Sequence, residues 1–165
     1  MPPGARPGSA PAVPGAPQPL CATADLLERG SAVLFDVLLW GQPARAFALR
    51  FDGKLVAYIN RCAHVPVEMD WQPGQFLDHD QRWIVCSIHG ATYEPANGRC
   101  VGGPCGRSKL MPVAIAEMDG QACWYPSADI RPAAPARPPP LPQALHQAPH
   151  QALPPGAAPA PESPP

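Results

Sequence analysis

Residues 1–20 and 131–165 contain no tryptophan, tyrosine or phenylalanine; all eleven aromatics of the 165-residue chain lie between them. Those two arms hold twenty of the 27 prolines, seven in the first and thirteen in the second. A segment with so many prolines cannot sustain a hydrogen-bonded ladder, and without bulky side chains it has nothing to bury. Two domains are therefore excluded. The expected organisation is a disordered Pro/Ala-rich arm over 1–20, one domain over 21–130 and a disordered Pro/Ala-rich tail over 131–165.

A charge excess of one sign is also missing. Twelve Lys and Arg face thirteen Asp and Glu, and within 21–130 nine basic and twelve acidic residues leave the domain at −3. A mildly acidic domain is a poor fit to nucleic acid, and no such partner is expected. The longest apolar run, Ala32 to Trp40, is interrupted by Asp36 and is too short to span a bilayer. Met1 to Ala10 has no apolar stretch and a single Arg6, so no secretory signal is expected and the location expected is cytoplasmic. In a reducing compartment the six cysteines point to metal or redox chemistry before a disulfide framework.

What is present reads as β-structure. Val33, Phe35, Val37 and Leu39 alternate with Leu34, Asp36, Leu38 and Trp40, and Gly41-Gln42-Pro43 ends the run. Ala44 to Phe51 alternates again, Asp52-Gly53 is a strong hairpin signal, and Leu55 to Ile59 forms the return strand. Trp83 to Val85, Val113 to Met118 and Gln121 to Tyr125 supply further strands, the last two joined by Asp119-Gly120. Ala24 to Arg29, closed by Gly30, is the one helix-like piece, a short helix or no more than a turn. The pattern predicts a small all-β sandwich or barrel. Arg61–Arg82 and Ser87–Lys109 do not fit the meander, and long irregular connections tend to carry function. In the tail, a Gln-Ala echo containing His146 and His150 reads as low-complexity sequence rather than a metal site.

Both long connections start beside a Cys/His pair: Cys62-Ala63-His64 and Cys86-Ser87-Ile88-His89, with 21 residues between the pairs. Two thiols and two imidazoles make a complete four-ligand set. A structural zinc site is one reading, although zinc fingers usually pair Cys with Cys and His with His. One Cys and one His from each loop suits a binuclear site, in which each loop contributes to both metals.

These residues resemble the Rieske [2Fe–2S] proteins. The likeness covers residues 31–125 and includes His89-Gly90-Ala91-Thr92-Tyr93-Glu94, Asn97-Gly98-Arg99-Cys100 and Gly102-Gly103-Pro104. It implies an antiparallel, three-layered β-sandwich with a cluster-binding lobe formed by two loops. It further implies a Rieske-type [2Fe–2S] cluster held by Cys62 and Cys86 on the inner iron and by His64 and His89 on the outer one. Tyr93, Gly103 and Pro104 would line the cluster, the last two in a covering loop.

Departures from the family pattern refine the expectation. High-potential members of quinol-oxidising complexes carry a disulfide between the cluster loops, and those positions here are Val67 and Ile88. Their serine donor to a bridging sulfide corresponds to Ala91, whereas the tyrosine is kept as Tyr93. Fewer donors stabilise the reduced cluster less, which places the potential low in the Rieske range of roughly −150 to +300 mV.

Glu68, Asp70, Asp78 and Asp80 lie between the ligand pairs against a single Arg82; they read first as a solvated loop, and alternatively as an acidic segment that would steer a basic redox partner. Val65, Pro66, Gly103 and Pro104 would form an apolar contact surface or a water shield. Cys100 and Cys105 flank the covering loop and could approach each other, but free thiols are the state expected in a cytosol; Cys123 is expected in the core, Cys21 at the domain edge and His79 on the surface.

The function expected is that of a one-electron carrier between a reductase and an oxygenase or related enzyme, with redox proteins as partners and no catalytic residue of its own. A small Rieske subunit of a larger oxidoreductase and a redox or iron–sulfur sensing module are the alternatives. A self-sufficient oxygenase would need a further site of two His and a carboxylate, for which the chain has too few histidines.

Overall fold

The computed structural model describes residues 15–133. The expectations for His146, His150 and most of the two arms lie outside them. Ten strands form three antiparallel sheets. In chain order they are β1 (Gln18–Ala22), β2 (Val33–Leu39), β3 (Gln42–Phe51), β4 (Lys54–Ile59), β5 (Ile84–Val85), β6 (Thr92–Tyr93), β7 (Cys100–Gly102), β8 (Ala114–Met118), β9 (Gln121–Tyr125) and β10 (Ile130–Pro132). The central sheet runs β10-β2-β3-β4; one flanking sheet is β1-β9-β8 and the other β5-β6-β7.

Three hairpin turns build most of this. Trp40-Gly41, Asp52-Gly53 and Asp119-Gly120 all have positive φ at both residues, from 49° to 78°, which is the turn geometry that matches strand twist. The first was expected one residue later. Gln42 and Pro43 already belong to β3, paired with Leu39 and Leu38. Pro43 is tolerated because β4 begins pairing with β3 only at Ala46, so the missing N–H faces no partner there.

Alternation along the central strands feeds two cores rather than one. Phe47, Leu49 and Tyr58 point to a core shared with Cys62, Met69, Phe76, Ile84, Cys86 and Tyr93. Ala46, Ala48, Ala57 and Ile59 point the other way, to Val37, Leu39, Val113 and Trp124. The sheet between them is covered on both faces, which is the three-layered arrangement expected. Cys123 is buried, as expected, while Cys21 is half-buried.

Three details are added. The helix-like segment is a 3-10 turn, Thr23–Asp25, and Arg29 already has a φ of 53°. Strand structure begins at Gln18 and ends at Pro132, on either side of the 21–130 limits. Both outer strands are sheet edges, where Pro19 and Pro132 cost little. The long spacer is also anchored: Phe76 stacks on Phe47 at 3.7 Å between ring centroids, and Gly74 O accepts from Ala32 N–H at 2.8 Å.

Candidate metal centre

Cys62 and Cys86 each open a tight loop that leaves the core. In the first, Cys62 N–H donates to Val67 O at 2.9 Å. In the second, Cys86 N–H donates to Ala91 O at 2.8 Å and Gly90 N–H to Cys86 O at 2.9 Å. The loops are tied together by Ser87, whose N–H and hydroxyl both donate to Met69 O, at 2.9 and 2.6 Å. Beneath them, Tyr93 from β6 reaches across to Cys62 and Ala63.

The structure brings all four expected ligands to one tip. Cys62 is 4% and Cys86 0% exposed, whereas His64 and His89 are exposed and meet edge to face with ring centroids 5.2 Å apart. The two loops repeat one local device. In each, the backbone N–H groups two and three residues after the cysteine favour its thiolate form: His64 and Val65 for Cys62, Ile88 and His89 for Cys86.

Burial works against a Cys62 thiolate, but the Tyr93 hydroxyl and the two N–H donors outweigh it and hold this thiol below its ordinary range. Burial raises Cys86, opposed by Ile88 N–H and reinforced by the nearness of Cys62. Donors aimed at two buried sulfurs, with two imidazoles at the solvent edge, fit a binuclear group with one thiolate end and one imidazole end. Among the described residues, no three His, Cys, Asp or Glu side chains converge as they would around a single ion.

Gly103 and Pro104 cap this tip. A Cβ on Gly103 would lie 2.5 Å from Gly90 O and 3.0 Å from the Ala91 Cα, so the covering loop rests backbone to backbone on the second Cys/His loop. Pro104 is exposed in the 3-10 turn Gly103–Cys105. That turn folds back towards β7, bringing the Cα atoms of Cys100 and Cys105 to 5.8 Å, and the two form a disulfide. The free-thiol expectation is therefore corrected: the backbone places the pair within bonding range, which spacing alone does not reveal.

The exposed apolar rim is wider than expected. Besides Val65, Pro66 and Pro104, Ile88 of the second loop is exposed at 46% and Val101 of β7 at 48%. The acidic spacer also behaves differently. Asp70 accepts from Asn60 Nδ2 at 2.7 Å and from Gly74 N–H at 3.0 Å, and Asp78 Oδ1 accepts from the N–H groups of Arg82 and Trp83. Both shape the loop, and Glu68 lies 3.8 Å from Arg45. Neither Ser87 nor Asn60 carries a sequence signal, because their roles depend on what the fold sets beside them. His79 is exposed, as expected.

A family model described as the Rieske [2Fe-2S] domain matches residues 16–119. No curated protein matches the chain. Among solved structures, the reduced oxygenase–ferredoxin complex of carbazole 1,9a-dioxygenase aligns at 22% identity and a TM-score of 0.54, over 69% of this chain and 29% of that one. The ferredoxin of carbazole 1,9a-dioxygenase from Nocardioides aromaticivorans IC177 aligns at 17% identity and a TM-score of 0.53, over 67% of this chain and 98% of that one. The terminal oxygenase of the same system from Novosphingobium sp. KA1 aligns at 21% identity and a TM-score of 0.52, over 69% of this chain and 30% of that one. At these identities the likeness is one of fold, and the chain spans under a third of the oxygenase chains.

Proposed function

The chain belongs to the Rieske [2Fe–2S] domain family, and from that premise we propose that it is a one-electron carrier passing electrons from a reductase to an oxygenase or related enzyme, acting in the cytoplasm. Rieske-type electron transfer is the activity of its family. Cys62 and Cys86, buried, would hold the cluster from within, and His64 and His89, exposed, would hold it at the solvent edge. When bound, the cluster supplies a centre that takes up and releases one electron.

The carrying observation is the gradient at the tip: buried thiols, then exposed imidazoles, within an apolar rim. Tyr93 orients the first loop and donates toward Cys62, Ser87 locks the loops together, and Gly103 and Pro104 shield the site from water. No acid–base step is required of any of them. An oxygenase acting alone would need two more histidines and a carboxylate. Apart from the two at the tip, His79 is the one histidine among the described residues.

Purified protein should contain two irons and two acid-labile sulfides per chain and give a Rieske-type EPR signal after dithionite reduction. Cys62→Ser and His64→Ala should each abolish that signal. Stoichiometric zinc without iron would overturn the assignment. Iron–sulfur content without electron exchange with any ferredoxin reductase would overturn the carrier role while leaving the cluster.

A further inference from the structure

One charged face has no role in the centre described above. Between Glu94 and Glu117 the chain carries Arg99, Arg107 and Lys109 and no acidic residue. Arg99 and Lys109 stand directly opposite each other in an antiparallel bridge. Hydrogen bonds on either side hold that register: Leu110 N–H to Gly98 O at 2.9 Å and Cys100 N–H to Ser108 O at 3.0 Å. All three cations are exposed. Like charges facing each other across strands are destabilising, so the fold carries this pairing at a cost.

Several other cations of the domain are compensated, although Lys54 and Arg131, like the three, have no carboxylate within 4.0 Å among the described residues. Arg29 reaches Asp52 at 2.5 Å, Arg45 reaches Glu68 at 3.8 Å and Arg50 reaches Glu117 at 3.7 Å. Arg61 and Arg82 lie over the rings of Trp40 and Trp83. Among the described residues, no carboxylate comes within 4.0 Å of Arg99, Arg107 or Lys109. Glu94, their neighbour in sequence, accepts instead from Asn97 Nδ2 at 2.6 Å.

The strip is fixed to the covering loop. Cys100, next to Arg99, is bonded to Cys105, and Ser108 N–H, between Arg107 and Lys109, donates to Cys105 O at 3.1 Å. Gly103 of the same loop abuts Gly90, the neighbour of His89. Anything seated on these cations is held at a set position relative to His89.

We propose that Arg99, Arg107 and Lys109 form a docking strip for the acidic face of a redox protein partner and align it with His89. This rests on the electron-carrier reading. The occupant is a protein with a local acidic patch rather than a uniformly anionic polymer. With nine basic against twelve acidic residues in 21–130, the net charge of the domain disfavours such a polymer. The polarity is the reverse of that expected from the acidic spacer, two of whose carboxylates are engaged by its own backbone.

Stopped-flow oxidation of the dithionite-reduced holoprotein by two probe proteins tests this: plastocyanin, which is acidic, and cytochrome c, which is basic. In R99Q/R107Q/K109Q the bimolecular rate with plastocyanin should fall at least about tenfold at low ionic strength, a gap that closes in high salt. The rate with cytochrome c should not fall, and the EPR signal should be unchanged. An unchanged plastocyanin rate, or equal losses with both acceptors, would overturn the strip while leaving the carrier role intact. Tight binding of labelled duplex DNA that the triple variant loses would also overturn it, by assigning the cations to a polyanion. A wild-type protein without a Rieske EPR signal would instead sink the carrier reading, and the strip with it.

Discussion

The Tyr93 hydroxyl lies 3.2 Å from the Cys62 sulfur while accepting the Ala63 N–H at 3.1 Å. With its lone pair engaged by that N–H, its hydrogen is free to point at sulfur. Burial, and then the bond to Cys62, hold the phenol protonated far above its ordinary range. One residue thus sets both the shape of the first loop and the electrostatics of its sulfur.

Tyr93→Phe removes this donor with almost no change in volume. A donor to sulfur matters more when the centre holds the extra electron, so the reduction potential should fall. If the difference is about 1.5 kcal/mol, the shift is about 60 mV for a one-electron couple. Protein-film voltammetry of the two proteins measures it, and an unchanged or higher potential would contradict the assignment.

Gly103→Ala should damage the covering loop more than an ordinary turn substitution. Its φ is +74° and the added Cβ meets backbone at Gly90 and Ala91, which cannot swing aside. Gly120→Ala is the matched control, with φ +76° and nothing within 4 Å. The control should cost about 1–2 kcal/mol for its conformation alone, and Gly103→Ala clearly more. Urea unfolding of both proteins, together with the bleaching rate of visible absorbance, separates the two effects.

Cys100 and Cys105 close a loop of six residues. In the chain-entropy account, opening so short a loop costs about 2 kcal/mol. C100S/C105S, or the wild type under a phosphine reductant, should unfold at lower denaturant by that amount. Reductant should have no further effect on the double variant. Equal stability with and without reductant would show that the bond contributes nothing.

Tyr58 donates to Pro95 O at 2.7 Å from a buried position, and its pKa is pushed up to about 12, chiefly by burial and secondly by the Glu94 charge. Its unfolded value is about 10. The folded state keeps the proton over a range in which the unfolded chain gives it up. Its stabilisation is therefore complete below about pH 10 and is lost as pH rises toward 12. Denaturant unfolding between pH 9 and pH 11 should show this decline in the wild type and a shallower one in Tyr58→Phe.

Two of the three hairpins were legible to the residue because Asp-Gly pairs declare a positive φ locally, and the alternation in Val33–Leu39 and Ala44–Phe51 declares strands without reference to anything distant. The edge strands Gln18–Ala22 and Ile130–Pro132 were not legible. Each contains a proline and owes its pairing to strands far away in sequence. The same applies to Phe76, whose place is set by stacking on Phe47. Asp78 resembled a free surface acid until the turn closed on it.

By itself the sequence determined which Cys and His side chains the two loops carry. The order Cys-x-His and Cys-x-x-His is covalent, and tight loops keep such neighbours together wherever they are placed. Only the tertiary structure decided which of them meet water. The thiols pack with Tyr93 into the core between the central sheet and the β5-β6-β7 sheet, and the imidazoles remain outside it. It also decided that Cys100 and Cys105 join and that Arg99 faces Lys109. Both depend on how the backbone returns upon itself, and distance along a chain does not specify distance in space.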